Sequence, residues 1–413
     1  MSQRTPADPR QMAAILVNGV IADGLMVSDV ALPAAEPAER ARAQRLALAT
    51  FRNLGRADTV LSPLLRKAPP DQVVAALRVA VVEMLELGAA PHGVVNATVT
   101  ALRSQKKTAP LTGMANAVLR RASEYDGWAE LPLQRLPGWL RRRLKGVYGE
   151  EVVMAIEAAH NAGAAIDLTP KPGAETLPEA EELPGGSLRL PLGAQVSALP
   201  GFESGDWWVQ DAAAALPASL LAVQPGEAVL DLCAAPGGKT MQLAAAGAEV
   251  TALDLSEPRL RRVRENLERT GLQAEVICTD ALHWKTDRTF DAILLDAPCS
   301  ATGTIRRHPD LPFVRKPGDV AALVELQAQM LDRALTFLKP GGRLVYCTCS
   351  LLPDEGEAQI AALLERNTAV QTIFPPAMPF GRATEEGGWR TRPDDLLGGV
   401  DGFYMALLRL EMR

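Results

Sequence analysis

Apolar positions follow two regimes along this chain. From residue 10 to about 126 they recur with helical spacing. In DQVVAALRVAVVEMLELG, residues Val73, Leu77, Ala80, Val81, Met84 and Leu85 stand at i, i+4, i+7, i+8, i+11 and i+12. That is one buried stripe of a helix, closed by Gly88. VVNATVTALRSQKK and GMANAVLRRASEY repeat the pattern, so a compact helical bundle is expected. A basic segment follows, WLRRRLKGVYG (Trp139–Gly149). Residues 162–205 are rich in Gly, Pro and Glu, with weak periodicity, and read as a connector with a few short strands. From about Asp206 the pattern changes to short, β-rich, almost wholly apolar runs: AVLDLC, EVTALDL, AEVICTD, FDAILLD and RLVYCTC, with GFYMALLRL as a last strand. Helical stretches such as EPRLRRVRENLERTG separate several of them, which predicts a parallel sheet covered on both faces.

Composition narrows the class. The chain has 413 residues, 47% hydrophobic and 22% charged, an ordinary soluble balance with material for two or three domains. No apolar run reaches membrane-spanning length. MAAILVNGV near the start reads as buried helix rather than signal peptide. The five cysteines (Cys233, Cys278, Cys299, Cys347 and Cys349) form no disulfide framework, so a cytoplasmic location is expected. No pair has CxxC spacing and the four histidines are scattered, so no metal is expected. Residues 1–145 carry 20 Lys+Arg against 12 Asp+Glu, a balance of +8; the rest carries 23 against 37, a balance of −14. A basic front on an acidic protein suits a polyanion partner, although solvated helix faces explain the charge equally well.

VLDLCAAPGGKT (Val229–Thr240) is a strand, a thin small-residue loop and a helix start. The ending GGKT invites a phosphate-loop reading, but that motif needs glycine where this chain has Cys233. The dinucleotide pattern GxGxxG is also missing. What remains is acidic: Asp231, Asp254, Asp280 and Asp296 stand in or near the ends of four successive strands, the edge where such folds bind ligands. Carboxylates there repel phosphate and accept from ribose hydroxyls and amino groups. S-adenosylmethionine fits, having a ribose, an adenine and a positive sulfonium but no phosphate. Any one of these aspartates could instead cap a turn.

LLDAPCSATGTIRRHPD (Leu294–Asp310) follows the fourth strand. Methyltransferases acting on amino nitrogens tend to carry (D/N)-P-P-(Y/F) here; this chain has Asp-Ala-Pro-Cys. A thiol in place of the aromatic points to chemistry that needs a nucleophile. Cytosine C5 is such a case, because a thiolate adding at C6 makes C5 nucleophilic. An acid near N3 would stabilise the charge that builds in the ring, and Asp296 is a candidate.

DAPCSATG together with YCTCSLLPDEGE resembles the two-cysteine RNA cytosine-5 methyltransferases. Within them, LDLCAAPGGKT and IRRHPD are similar to the bacterial 16S ribosomal RNA methyltransferase B group (RsmB/Sun), and PHGVVNATVTALRSQKK with LTGMANAVLRR resembles its NusB-like RNA-binding domain. The resemblance covers nearly the whole chain. It implies an all-α NusB-like domain over residues 1–128, a linker helix and small connector over 129–205, and an α/β Rossmann-like class I methyltransferase domain over 206–413. It implies S-adenosylmethionine as cofactor, held by Cys233, Ala234, Ala235, Pro236, Gly237, Gly238, Lys239, Asp254, Asp280 and Asp296. It makes Cys349 the nucleophile, Cys299 the residue that assists breakdown of the adduct, and Asp296 the group that polarises the base; spacing alone does not assign the two cysteines. The family usually has a Leu-Arg-Val-Asn-like run ahead of the catalytic domain; here stands IDLTPKPG (Ile166–Gly173), so RNA contacts from that region do not carry over.

Cys347 and Cys278 are expected in the core and Cys233 to pack at the cofactor loop. A stacked base cannot be attacked on both faces, so the target must be unpaired or flipped, at a cost of roughly a few kcal/mol. Arg306, Arg307 and His308 are candidates for contact with phosphate or the flipped nucleotide, and Arg141, Arg142 and Arg143 for contact with the RNA backbone. Trp207 and Trp208 are expected to be core, with base stacking as the alternative. The expected partner is 16S ribosomal RNA, with no membrane, for a monomeric protein. Two other readings stay open: transfer RNA or another ribosomal site as substrate, and a non-catalytic RNA-binding assembly factor.

Overall fold

The computed structural model describes residues 8–412 except 175, 176, 178, 192, 193 and 376. The chain forms two compact units. One holds the N-terminal residues through Asn161 together with Arg307–Arg315; the other holds Ala162–Arg306 and Lys316 onward.

The first unit is helical: α1 (Pro9–Ile21), α2 (Pro37–Arg52), α3 (Leu54–Leu61), α4 (Asp71–Leu85), α5 (Pro91–Arg103), α6 (Thr112–Ala122), α7 (Gly138–Tyr148) and α8 (Glu150–Ala162). Proline opens α1, α2 and α5, where its missing N–H costs nothing. Asp8 caps α1 by accepting from Arg10 N. The predicted stripe of α4 is its buried face: Val73, Leu77, Ala80, Val81 and Met84 pack against α3, α5 and α6, and Gly88 ends the run at φ +67°. Glu83, on the other side of α4, is buried and held by Arg10 of α1 at 2.5 and 2.8 Å. In the segment Arg307–Arg315, Asp310 accepts from Val27 N at 2.8 Å and Phe313 meets Phe51 with ring centroids 5.7 Å apart.

The second unit begins with a small antiparallel sheet, β1 (Asp167–Pro170), β2 (Glu181–Glu182), β3 (Leu188–Arg189) and β4 (Trp207–Val209), in the order β2-β3-β1-β4. It has its own apolar cluster of Leu168, Leu188, Leu190 and Trp207. Trp207 and Trp208 are both buried, and their indole N–H groups donate to Pro200 O and Gln210 Oε1. Both are core residues.

Beyond it come β5 (Ala228–Leu232), β6 (Glu249–Asp254), β7 (Glu275–Cys278), β8 (Phe290–Asp296), β9 (Leu338–Thr348), β10 (Val370–Ile373), β11 (Arg382–Ala383), β12 (Trp389–Arg390) and β13 (Tyr404–Leu410). The helices are α9 (Ala212–Leu221), α10 (Gly238–Ala245), α11 (Glu257–Thr270), α12 (Pro317–Thr336) and α13 (Glu357–Arg366). Strands β7-β6-β5-β8-β9 are parallel in that order. The expectation of an all-parallel sheet needs correcting at one end: β13 lies antiparallel beside β9, and β10 and β12 pair with its far side. Apolar clusters on both faces bury the parallel strands, which explains their unbroken hydrophobic runs. The chain reverses its winding between β5 and β8, and a crevice opens at the carboxyl ends of strands at such a switch point.

Candidate active site

Loop 233–237, after β5, is shaped by backbone demands. Cys233 takes φ +62°, the left-handed region where a glycine-rich loop would place glycine. Ala234 N donates to Leu253 O of β6 at 3.0 Å, and Ala235 N to Asp254 Oδ2 at 3.2 Å, so the loop is sewn to the neighbouring strand. A cis peptide joins Ala235 to Pro236. Gly237 sits at φ +104°, and a Cβ there would lie 3.2 Å from Val263, so glycine is needed where the loop turns into α10. The first turn of α10 carries Lys239. Its ammonium bonds Asp296 Oδ2 at 2.8 Å, bridging the ends of β5 and β8, and stands 5.2 Å from the Phe403 ring. Burial works against the charge on Lys239, but the field of Asp296 outweighs it and raises the pKa.

The aspartates behave differently from one another. Asp231 is fully buried; Thr240 Oγ1 donates to one of its oxygens at 2.5 Å, and the other has no hydrogen-bond partner among the described residues. Burial pushes its pKa up to about 7, against the pull of Thr240 and Lys239. Asp254 is buried, accepting also from Ser256 N at 2.9 Å. Asp280 lies two residues beyond β7, half-exposed, bonded to Leu282 N and His283 Nδ1 in the manner of a turn cap. Asp296 faces Cys347 across the β8–β9 register, and the Cys347 thiol donates to Asp296 Oδ1 at 3.6 Å.

The two loops that follow β8 and β9 bring Cys299 and Cys349, fifty residues apart in sequence (349−299), to 3.4 Å between sulfurs. Both are partly exposed, whereas Cys347 is buried. The hydrogen bond to Cys349, and then burial, hold Cys299 well above an ordinary thiol pKa, and either sulfur can donate in the contact between them. Burial and then Asp296 likewise keep Cys347 protonated. Behind the sulfurs, Gly303 and Gly402 meet backbone to backbone: a Cβ on Gly303 would lie 1.8 Å from Gly402 O.

Three sequence expectations change. Arg306 is not presented to RNA: it is fully buried, donates to Gly398 O at 2.8 Å, and lies 3.4 Å from Asp211 and 3.8 Å from Asp401. Arg141 is committed to Glu157 and Glu150, tying α7 to α8. Cys278 is exposed, because β7 is the edge strand, and its sulfur lies 3.6 Å from Leu255 O. Arg142, Arg307 and His308 are exposed and Arg143 is half-buried. Sequence reasoning missed Glu355, a fully buried carboxylate beside both cysteine loops. The only signal was an acidic residue directly after the cysteine run, in Pro-Asp-Glu-Gly-Glu.

This geometry can be set against known proteins. Residues 218–409 match the family model for 16S rRNA methyltransferase RsmB/F, and residues 8–124 match that of the NusB family. A ribosomal RNA small subunit methyltransferase B of Vibrio cholerae is 38% identical, over 97% of this chain and 96% of its own length. The chain belongs to the RsmB/F methyltransferase family. The counterpart from Escherichia coli is 35% identical over 97% of this chain and 98% of its own. Among solved structures, a methyltransferase homolog from Pyrococcus horikoshii is 29% identical with a TM-score of 0.56, covering 65% of this chain and 93% of that one. NSun6 from the same organism has the same fold at 20% identity and a TM-score of 0.60, covering 67% and 99%. Among the described residues no helix is long and apolar enough to cross a membrane.

Proposed function

We propose that this RsmB/F protein methylates C5 of a cytosine in 16S ribosomal RNA, with S-adenosylmethionine as donor and a thiol adduct at C6 on the way. The observation that carries the reading is the thiol pair, Cys299 and Cys349, 3.4 Å apart on loops at the carboxyl ends of β8 and β9. The crevice residues fit the cofactor. Asp231 has a buried oxygen without a hydrogen-bond partner among the described residues, the 233–237 loop is built of small residues at the carboxyl end of β5, and the carboxylates of Asp254 and Asp280 suit hydroxyl and amino donors rather than phosphate. When bound, S-adenosylmethionine supplies an electrophilic methyl group on a positively charged sulfur.

The chain's own residues do the rest. The family resemblance makes Cys349 the thiol that reacts as thiolate, and the raised pKa of Cys299 is in keeping with that division. The Cys349 sulfur bonds to C6, and the C5=C6 electron pair moves into the ring towards N3. Asp296 polarises the base by accepting from its amino group, and the Lys239 ammonium that Asp296 holds at 2.8 Å offsets the negative charge gained in the ring. C5 then takes the methyl group, and the electron pair of the broken bond stays on the donor sulfur. C5 gives its proton to a base, the C6–S bond breaks, and its electrons return to Cys349, where Cys299 donates a hydrogen bond. Removing that donor by Cys299→Ala should trap protein on RNA as a denaturation-resistant adduct, while Cys349→Ser should abolish methyl incorporation and spare cofactor binding. Bisulfite sequencing of small-subunit RNA from a deletion strain identifies the modified base. A new methyl group found on an exocyclic amine or a ribose oxygen would overturn the reading.

A further inference from the structure

We infer that Glu355 is the positioning residue of the thiol pair: its carboxylate ties the residue after Cys299 to the residue after Cys349 and so sets the separation of the two sulfurs. The inference rests on the reading of those thiols as acting together. Glu355 ends the short turn Pro353–Glu355 and is fully buried. Its Oε1 accepts from Ser300 N at 2.8 Å and Gln327 Nε2 at 3.1 Å. Its Oε2 accepts from Ser300 Oγ and Ser350 Oγ, each at 2.5 Å. A carboxylate offers about four lone-pair sites, and all four are filled. Two of the donors belong to the loop of Cys299, one to the loop of Cys349 and one to α12.

The anchor is itself anchored. The Glu355 carbonyl accepts from Tyr346 Oη at 2.8 Å and Thr348 Oγ1 at 3.1 Å, both on the strand that delivers Cys349. Arg390 donates to the Ser350 carbonyl from the other side. All four donors to the Glu355 carboxylate are neutral groups. Burying a carboxylate among neutral groups is expensive, of the order of several kcal/mol, and a loop that needed only packing would not require it. The negative charge also disfavours ionisation of Cys299, helping to keep the proton on the donor side of the pair.

The test uses the full chain and unmethylated small-subunit RNA. Glu355→Gln keeps the shape but removes the charge and turns an NH₂ group towards the two serine hydroxyls, which must reverse from donating to accepting, so the charge-assisted links that draw the loops together are lost. The expected result is a kcat roughly 100-fold lower, the scale of an ångström-sized misplacement. The KM for S-adenosylmethionine should stay within about twofold, which separates positioning from lost binding. The pH midpoint for iodoacetamide alkylation of the pair should fall, because a nearby negative charge is gone; Glu355→Asp, which keeps the charge, should restore that midpoint but not the full rate. Ser350→Ala cuts the single link to the Cys349 loop and should show the same kcat-selective loss at a smaller scale, which decides the matter if Glu355→Gln does not fold. Wild-type kcat in both Glu355→Gln and Ser350→Ala and an unmoved midpoint in Glu355→Gln, with Cys349→Ser inactive, overturn the inference alone. Retained methylation in Cys349→Ser overturns the proposed function beneath it.

Discussion

Replacing Arg306 by methionine removes the guanidinium while keeping a long apolar stem in its place. The side chain it replaces is fully buried, with Asp211 at 3.4 Å, Asp401 at 3.8 Å and the Gly398 carbonyl at 2.8 Å. Asp211 retains the Ala213 and Asp401 amides as donors, but both carboxylates lose their shared cation. Breaking a buried pair from one side costs about 3–5 kcal/mol, most of it the charge left behind. For a unit of this size each kcal/mol moves the melting temperature by roughly 2–4 °C, so the methyltransferase transition should fall by about 6–20 °C. The assay is a thermal scan followed by near-ultraviolet circular dichroism, together with RNA binding measured well below the transition over a range of salt. A buried structural arginine leaves the slope of log affinity against log salt unchanged. A phosphate contact would make the slope shallower by about one. An unchanged melting temperature with a shallower slope would refute the structural assignment and return Arg306 to the RNA surface.

Two further outcomes follow from the site. Asp231 has a folded pKa of about 7 against 3.8 for a free side chain, so the folded state holds a proton that the unfolded chain releases. Its contribution to stability is present below about pH 4 and is lost as pH rises to about 7, on the order of 4 kcal/mol over the window. Asp231→Asn should flatten that fall in urea titrations from pH 4 to 8, and parallel curves for the two proteins would count against the burial argument. Gly303→Ala puts a methyl group 1.8 Å from the Gly402 carbonyl oxygen, where backbone must move. It should lower both the melting temperature and methyl transfer; a crystal structure of an active, unshifted variant would show the contact to be softer than its geometry implies.

How much of this was readable in the chain depends on the range of the interaction. The helical stripe of α4 and the six apolar strand runs are local patterns, and each lies where its periodicity put it. Strands β10, β11 and β12 are short and complete the edge of a sheet whose need for partners is not local. The cysteine loops stood out as motifs, yet their approach to 3.4 Å follows from β8 and β9 being neighbours. Arg306 misled because it sits among other basic residues in IRRHPD, while its acidic partners are 95 residues away in each direction, at Asp211 and Asp401. Glu355 was hidden for the opposite reason: an acidic turn reads as solvated until the serine after each cysteine is seen to point at it.

Sulfur atoms 3.4 Å apart are already close to bonding distance, since an S–S bond is about 2.05 Å long. A mild two-electron oxidant would therefore join Cys299 to Cys349 with little movement and silence both in one event. Preparations left in air should lose turnover together with two titratable thiols, and dithiothreitol should bring both back in step. On the proposed reading, the closeness by which one thiol assists the other also ties turnover to the reducing power of its surroundings.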